Sequence, residues 1–140
     1  MSAETNAVTD RQYVERVLNG GDLNAIDEIM APNYVGHVPG FPDADREGDK
    51  QLIGMLRTAF PDLRVQIEDQ IAVGDRVVHR LRAEGTHLGE FQGIPPTGNR
   101  VTVTGVNINR FVDGRVAEAW GFLDMLGLLQ QVGAVPAPAS

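Results

Sequence analysis

The apolar pattern of this chain changes period once, near Leu63, and that change constrains the fold more than any other feature. Before it, apolar residues recur three and four apart: Tyr13, Val14, Val17 and Leu18, then Ile26, Ile29 and Met30, then Leu52, Ile53, Leu56, Ala59 and Phe60. After it they alternate. Leu63, Val65 and Ile67 interleave with Arg64, Gln66 and Glu68, and Val77, His79, Leu81 and Ala83 interleave with Val78, Arg80, Arg82 and Glu84. The first spacing puts one stripe of a helix inward; the second puts one face of a strand inward. Helices followed by a meander of strands predict an α+β domain, its helices packed on one face of a curved antiparallel sheet that can close over them as a cone.

Local signals set the expected boundaries. Thr9-Asp10-Arg11-Gln12 has capping-box spacing and opens a helix that Gly20-Gly21 closes. Asp22 can cap a second, shorter helix that Pro32 stops, and NYVGHVPGFPD, rich in proline, reads as an extended connector. A third helix is expected from Arg46 to Phe60, ended by Pro61. Gly74-Asp75 joins the first two strands, GTHLGEFQGIPPTGNR leads into a third from Val101 to Val112, and Asp113-Gly114 is a hairpin turn into Arg115 to Phe122. A short helix, Met125 to Val132, is stopped by Gly133. With 140 residues this makes one domain over 9–133, a flexible segment 1–8 before it and a mobile tail 134–140 after it.

Charge and composition narrow the partners. A net charge of −7 with a single lysine, Lys50, argues against nucleic acid, because phosphate binding needs clustered cations. No apolar run approaches the roughly 20 residues that span a bilayer, and the start MSAETNAVTD has neither a basic nor an apolar segment of a secretion signal. The absence of cysteine excludes disulfides and thiol chemistry and fits a cytoplasmic location. No two of His37, His79 and His87 stand at a metal-pair spacing, so neither a metal nor another cofactor is expected.

Asp124 is the most informative single residue, set between Phe122-Leu123 and Met125-Leu126. It can cap the last helix; it can also be a partly desolvated carboxylate whose raised basicity suits a carbon acid. His37 can donate to a substrate carbonyl or serve as a packing residue. His79 shares a face with Val77 and Leu81, as a satisfied core histidine or a polar group in a cavity, whereas His87 reads as structural. Trp120 and Phe122, two apart, suit either a wall for a flat ring or an ordinary core, and Asn107, Asn109 and Arg110 are strand polars that can face the cavity or solvent.

Read in order, AFPDL (59–63), GDRVVHR (74–80), GTHLGEF (85–91), GIPPTGNRV (93–101), RFVDGRVAEAW (110–120) and LDMLGLLQQVG (123–133) resemble the SnoaL-like polyketide cyclase, or ester cyclase, family of the nuclear transport factor 2-like fold. The resemblance runs from about Thr9 to Gly133. It implies a cone-shaped, cystatin-like α+β barrel with an apolar pocket between sheet and helices, commonly in a homo-oligomer, here expected as a homodimer.

For function the resemblance implies intramolecular aldol-type ring closure on a hydrophobic, carbonyl-rich small molecule, using one aspartate and neither metal nor cofactor. The position after E-x-W that matches the family's aspartate is Asp124, with His37 as the candidate acid and His79, Trp120, Phe122, Asn107 and Arg110 as candidate substrate contacts. The family's aspartate is assisted by a histidine of the neighbouring strand, and no histidine follows His87 here, so Arg110, an asparagine or His37 must replace it. The alternatives are epoxide hydrolase or hydroxylase chemistry in the same pocket, and a non-catalytic binding domain in which Asp124 is a cap.

Overall fold

Residues 2–138 are described by a computed structural model, in which the change of period at Leu63 divides helices from sheet as expected. Helix α1 (Ala3–Gln12) continues without a break into a π-helical stretch, Tyr13–Asn19. A 3₁₀ turn, Leu23–Ala25, runs into α2 (Ile26–Ile29), then β1 (Met30–His37) and α3 (Arg46–Ala59). The strands β2 (Arg64–Val73), β3 (Arg76–Thr86), β4 (Arg100–Val112) and β5 (Arg115–Leu123) follow, and α4 (Met125–Gln131) closes the order.

The sheet order is β1-β5-β4-β3-β2. β2 to β5 form the expected antiparallel meander, and the β4–β5 turn takes the positive φ angles of Asp113 (51°) and Gly114 (79°) that a tight hairpin requires. β1 departs from expectation. The prolines of NYVGHVPGFPD predict a connector, yet Met30–His37 is a strand lying parallel to β5, with Val35 opposite Glu118 and His37 opposite Trp120. Pro32 is tolerated because β1 is an edge strand and its register is interrupted between Met30 and Val35.

The other correction is at the amino end. α1 starts at Ala3, capped by the Ser2 side chain on the Thr5 N–H, so the segment 1–8, expected to be flexible, is helical from Ala3; Met1 lies outside the described residues. Asn6 and Asp10 are buried, and Asp10 is bonded to side chains of β2, β3 and β4, which is what anchors the helix. The opposite tail has no helix or strand from Ala134 to Pro138, and residues 139–140 lie outside the described part.

One cluster of core residues joins Val17, Ile26, Ile29 and Ile53 to Val77, Phe111 and Val116 of the sheet; another joins Phe60 and Phe91 to Val101, Val103 and Leu128. Each such side chain stabilises the fold by about 1.5–3 kcal/mol. Asn19 ties helix to sheet by accepting from the Val65 N–H at 2.6 Å and donating to its carbonyl at 2.9 Å. Among the described residues no helix is long and apolar enough to cross a membrane.

Candidate active site

Between the helices and the inner face of the sheet the core is not filled. Two lobes share Tyr13, Val38, Phe41, Asp49, Leu52, Asn107 and Gly121; the larger has a cavity volume of about 170 Å³ and the smaller about 80 Å³. The space arises because several inward strand positions are small. Ala83 and Gly85 on β3 and Ala119 and Gly121 on β5 line it with little or no side chain. At Gly121 even a Cβ would come within 2.8 Å of Asn107 Oδ1. The larger lobe is walled mainly by apolar residues, among them Leu52, Leu56, Phe60, Leu81, Val103 and Leu128, as in small-molecule sites generally.

Two polar assemblies interrupt this lining. In the first, the Tyr13 hydroxyl donates to Asp49 Oδ2 at 2.9 Å. Asp49 is in the first turn of α3, buried, and at the junction of the two lobes. Burial pushes its carboxyl up to about 6, and the Tyr13 hydrogen bond offsets only part of that rise. Burial, and after it the charge of Asp49, push the Tyr13 phenol well above its ordinary value, so it remains a donor.

In the second assembly, fully buried Asp10 accepts from His79 Nδ1 (2.9 and 3.0 Å), Asn109 Nδ2 (2.7 Å) and Gln70 Nε2 (2.9 Å). Asn107 in turn donates to Asn109 Oδ1 at 2.7 Å. The carboxylate fixes the proton of His79 on Nδ1, leaving Nε2 as the ring's second functional atom. His79 therefore answers both descriptions open to it, satisfied in the core and lining the larger lobe. Asn107 lines both lobes and Asn109 the smaller.

The remaining candidates fall elsewhere. Asp124 caps α4, its Oδ1 accepting from the Gly127 N–H at 2.9 Å. It is exposed, and although Leu123 and Met125 line the larger lobe, Asp124 does not, so the expected desolvation among apolar neighbours is not met. His37 touches the smaller lobe, but both ring nitrogens are engaged, Nδ1 with Asp43 at 2.9 Å and Nε2 with Glu118 at 2.8 Å. Hydrogen bonds to Glu118, then Asp43, raise its pKa, and the same contact lowers that of Glu118.

Trp120 lines neither lobe: it stacks on His37 with 5.7 Å between ring centroids, under the Arg76 guanidinium at 5.5 Å. Strand alternation puts it on the face opposite Ala119 and Gly121. Phe122 borders the larger lobe but is 50% exposed. Arg110 pairs with Glu118 at 3.3 Å and borders neither lobe. His87 is buried, bonded to Thr97 and packed on Phe60, a structural role.

Reading the sequence missed Asp49 and Tyr13, which line both lobes, and Asp10, which holds the lining residue His79. A signal was present. Asp49 stands three, four and seven residues before Leu52, Ile53 and Leu56, and Asp10 four and seven before Val14 and Val17, so each puts a carboxylate on an apolar helical stripe.

Known proteins share this architecture. The chain is 30% identical over 122 residues to the nogalonic acid methyl ester cyclase of Streptomyces nogalater, covering 82% of this chain and 88% of the relative. Among solved structures, AclR of Streptomyces galilaeus, a candidate hydroxylase, superposes with a TM-score of 0.90 at 32% identity, over 99% of this chain and 87% of that one. IdmH of Streptomyces antibioticus, a candidate polyketide cyclase, gives 0.81 at 35% identity, over 91% and 98%. With the SnoaL-like polyketide cyclase family model matching residues 7–132, and fold and cavity in agreement, the chain belongs to the SnoaL-like polyketide cyclase family.

Proposed function

We propose that this protein is an enzyme that closes a ring by intramolecular aldol-type addition on a hydrophobic, carbonyl-rich, polyketide-like small molecule. The observation that carries this reading is the cavity itself: an apolar chamber, in a chain 30% identical to the nogalonic acid methyl ester cyclase, with titratable and amide groups concentrated where its two lobes meet. A filled core would have favoured a structural domain. A substrate folded inside such a chamber holds its two reacting carbons together, and well-oriented intramolecular reactions reach effective molarities of about 10⁵–10⁸ M.

Aldol addition needs a base for a carbon flanked by carbonyls, a donor for the oxygen that gains charge, and exclusion of water. The sequence points to Asp124 for the base; its exposure and its bond to Gly127 support a cap instead. The amide groups of Asn107 and the imidazole of His79 supply polar contacts for carbonyl oxygens.

Hydroxylation is the second reading, favoured by the likeness to AclR. One experiment separates them. Hydrophobic β-dicarbonyl compounds of polyketide type are incubated with the protein and the products weighed by mass spectrometry. With dioxygen and an added reductant supplied, hydroxylation adds one oxygen atom; ring closure without loss of water needs neither and gives an isomer of unchanged mass that separates from the substrate by chromatography. Loss of turnover in a Gly121→Val variant that melts like wild type, its side chain filling the junction of the lobes, ties either reaction to this cavity.

The protein is also proposed to pair with a second copy through the outer face of the sheet. Phe122 and its cross-strand partner Val106, which also border the larger lobe, are 50% and 36% exposed, apolar surface that a partner would cover.

A further inference from the structure

We propose that Asp49 and Tyr13 form the acid–base centre of the cavity, with Asp49 as the catalytic carboxylate and Tyr13 as the residue that positions it. The proposal rests on the ring-closure reading for its substrate, a carbon acid between two carbonyl groups. Its basis is placement. Asp49 and Tyr13 border both lobes, so a molecule occupying the chamber passes them, whereas Asp124 borders neither. Tyr13 holds Oδ2 at 2.9 Å, and Oδ1 has no hydrogen-bond partner among the described residues.

The charge environment suits the role. The neighbouring cations of α3 are paired elsewhere: Arg46 and Lys50 both engage Asp27. Among the described residues Asp49 is therefore a carboxylate without a counter-ion, and burial raises its pKa to about 6, which makes it a stronger base than an exposed aspartate while leaving it ionised at neutral pH. The other titratable groups around the two lobes are Tyr34 from β1, His37 at its end, and His79 and Glu84 from β3. Asp10 approaches through Tyr13 and is held by His79.

The step balances without a co-reactant. Asp49 Oδ1 takes the proton from the acidic carbon; the C–H bond breaks and its electron pair moves onto the adjacent carbonyl as an enolate. The enolate carbon attacks the second carbonyl, forming the C–C bond, and the alkoxide takes back the proton from Asp49. Tyr13 donates to Oδ2 throughout, keeping Oδ1 directed at the substrate.

The test measures proton removal separately from ring closure. Panel β-dicarbonyl compounds that bind are incubated in deuterium oxide, and loss of the acidic C–H signal is followed by NMR beside product formation. Asp49→Asn keeps the size and an oxygen for Tyr13 but cannot take a proton, and should slow exchange by about 10²–10⁴ with binding intact. Tyr13→Phe removes a bond that lowers the Asp49 pKa, so the acid limb of the pH–rate profile should move to higher pH, a change that a packing role alone would not produce.

Exchange in Asp49→Asn within about threefold of wild type, or wild type that binds the compounds and exchanges none, overturns the proposal. Exchange that depends on Asp49 without any cyclised product upholds the centre and removes the ring-closure reading. Ring closure undiminished in Asp49→Asn does the reverse.

Discussion

Asp10 on α1 holds His79 on β3 through both carboxylate oxygens, at 2.9 and 3.0 Å from Nδ1, with both side chains almost wholly withdrawn from solvent. This one contact fixes the first helix over the sheet and fixes the imidazole in one orientation at the cavity wall. Asp10→Ala strips the acceptor from His79, Asn109 and Gln70 at once. Breaking a buried pair of this kind typically costs about 3–5 kcal/mol, so the variant should melt far below wild type, and exchange of α1 amides with solvent should accelerate most. Wild-type melting would show that the network contributes no stability.

Asp49 makes stability depend on pH in a particular direction. Its pKa is raised from 3.8 to about 6 on folding, so the native state binds the proton more tightly than the unfolded chain. Stability is then greatest with respect to this group below the unfolded value and falls as pH rises through about 6. A difference of that size corresponds to about 2–3 kcal/mol. Asp49→Asn should be more stable than wild type by about that amount at pH 7.5, the advantage shrinking toward zero near pH 4, as read by denaturant unfolding at both values.

His37 gives the same sign, by a different cause, in the segment that borders the smaller lobe. Held by Glu118 and Asp43, its folded pKa is raised, so the link between β5 and residues 38–44 is complete at low pH and is lost as pH rises through the folded value. Hydrogen exchange of residues 38–44 should quicken with pH beyond the intrinsic chemical rate. In His37→Gln that extra dependence should vanish.

Asp124→Ala should cost about 1 kcal/mol through loss of the α4 cap, and Asp124→Asn almost nothing, since asparagine caps about as well. Turnover separates the two roles of this residue. The exposed position predicts that Asp124→Asn retains most of the wild-type rate, and its abolition would restore the base assignment suggested by the sequence.

Pairing through the outer sheet face can be checked by sedimentation. Wild type should sediment as two copies at micromolar concentration, and Val106→Arg with Phe122→Glu as one. A wild-type protein that stays single at that concentration removes the pairing proposal.

How much of this was legible beforehand differs by level. The alternation of Val77, His79, Leu81 and Ala83 and the Asp113-Gly114 turn sufficed for strands, faces and a hairpin, because side-chain period and turn chemistry act within a few residues. The third helix, expected over 46–60, is found at Arg46–Ala59 for the same reason. β1 reads in sequence as a connector, because a parallel edge strand takes its hydrogen bonds from β5, more than eighty residues later, and prolines there cost little.

The site shows the same division more sharply. Its residue types could be listed from the chain, but Asp124 and Trp120, conspicuous in sequence, face away from the cavity, whereas Asp49 and Tyr13, 36 positions apart, meet at 2.9 Å. Sequence by itself determined α3, the β2–β5 meander with its inward faces, and the family. Tertiary structure decided which carboxylate lost its water: desolvation depends on what packs over a group from distant parts of the chain, and here α3 and the first helix bring that packing to Asp49 while Asp124 remains at an exposed helix end.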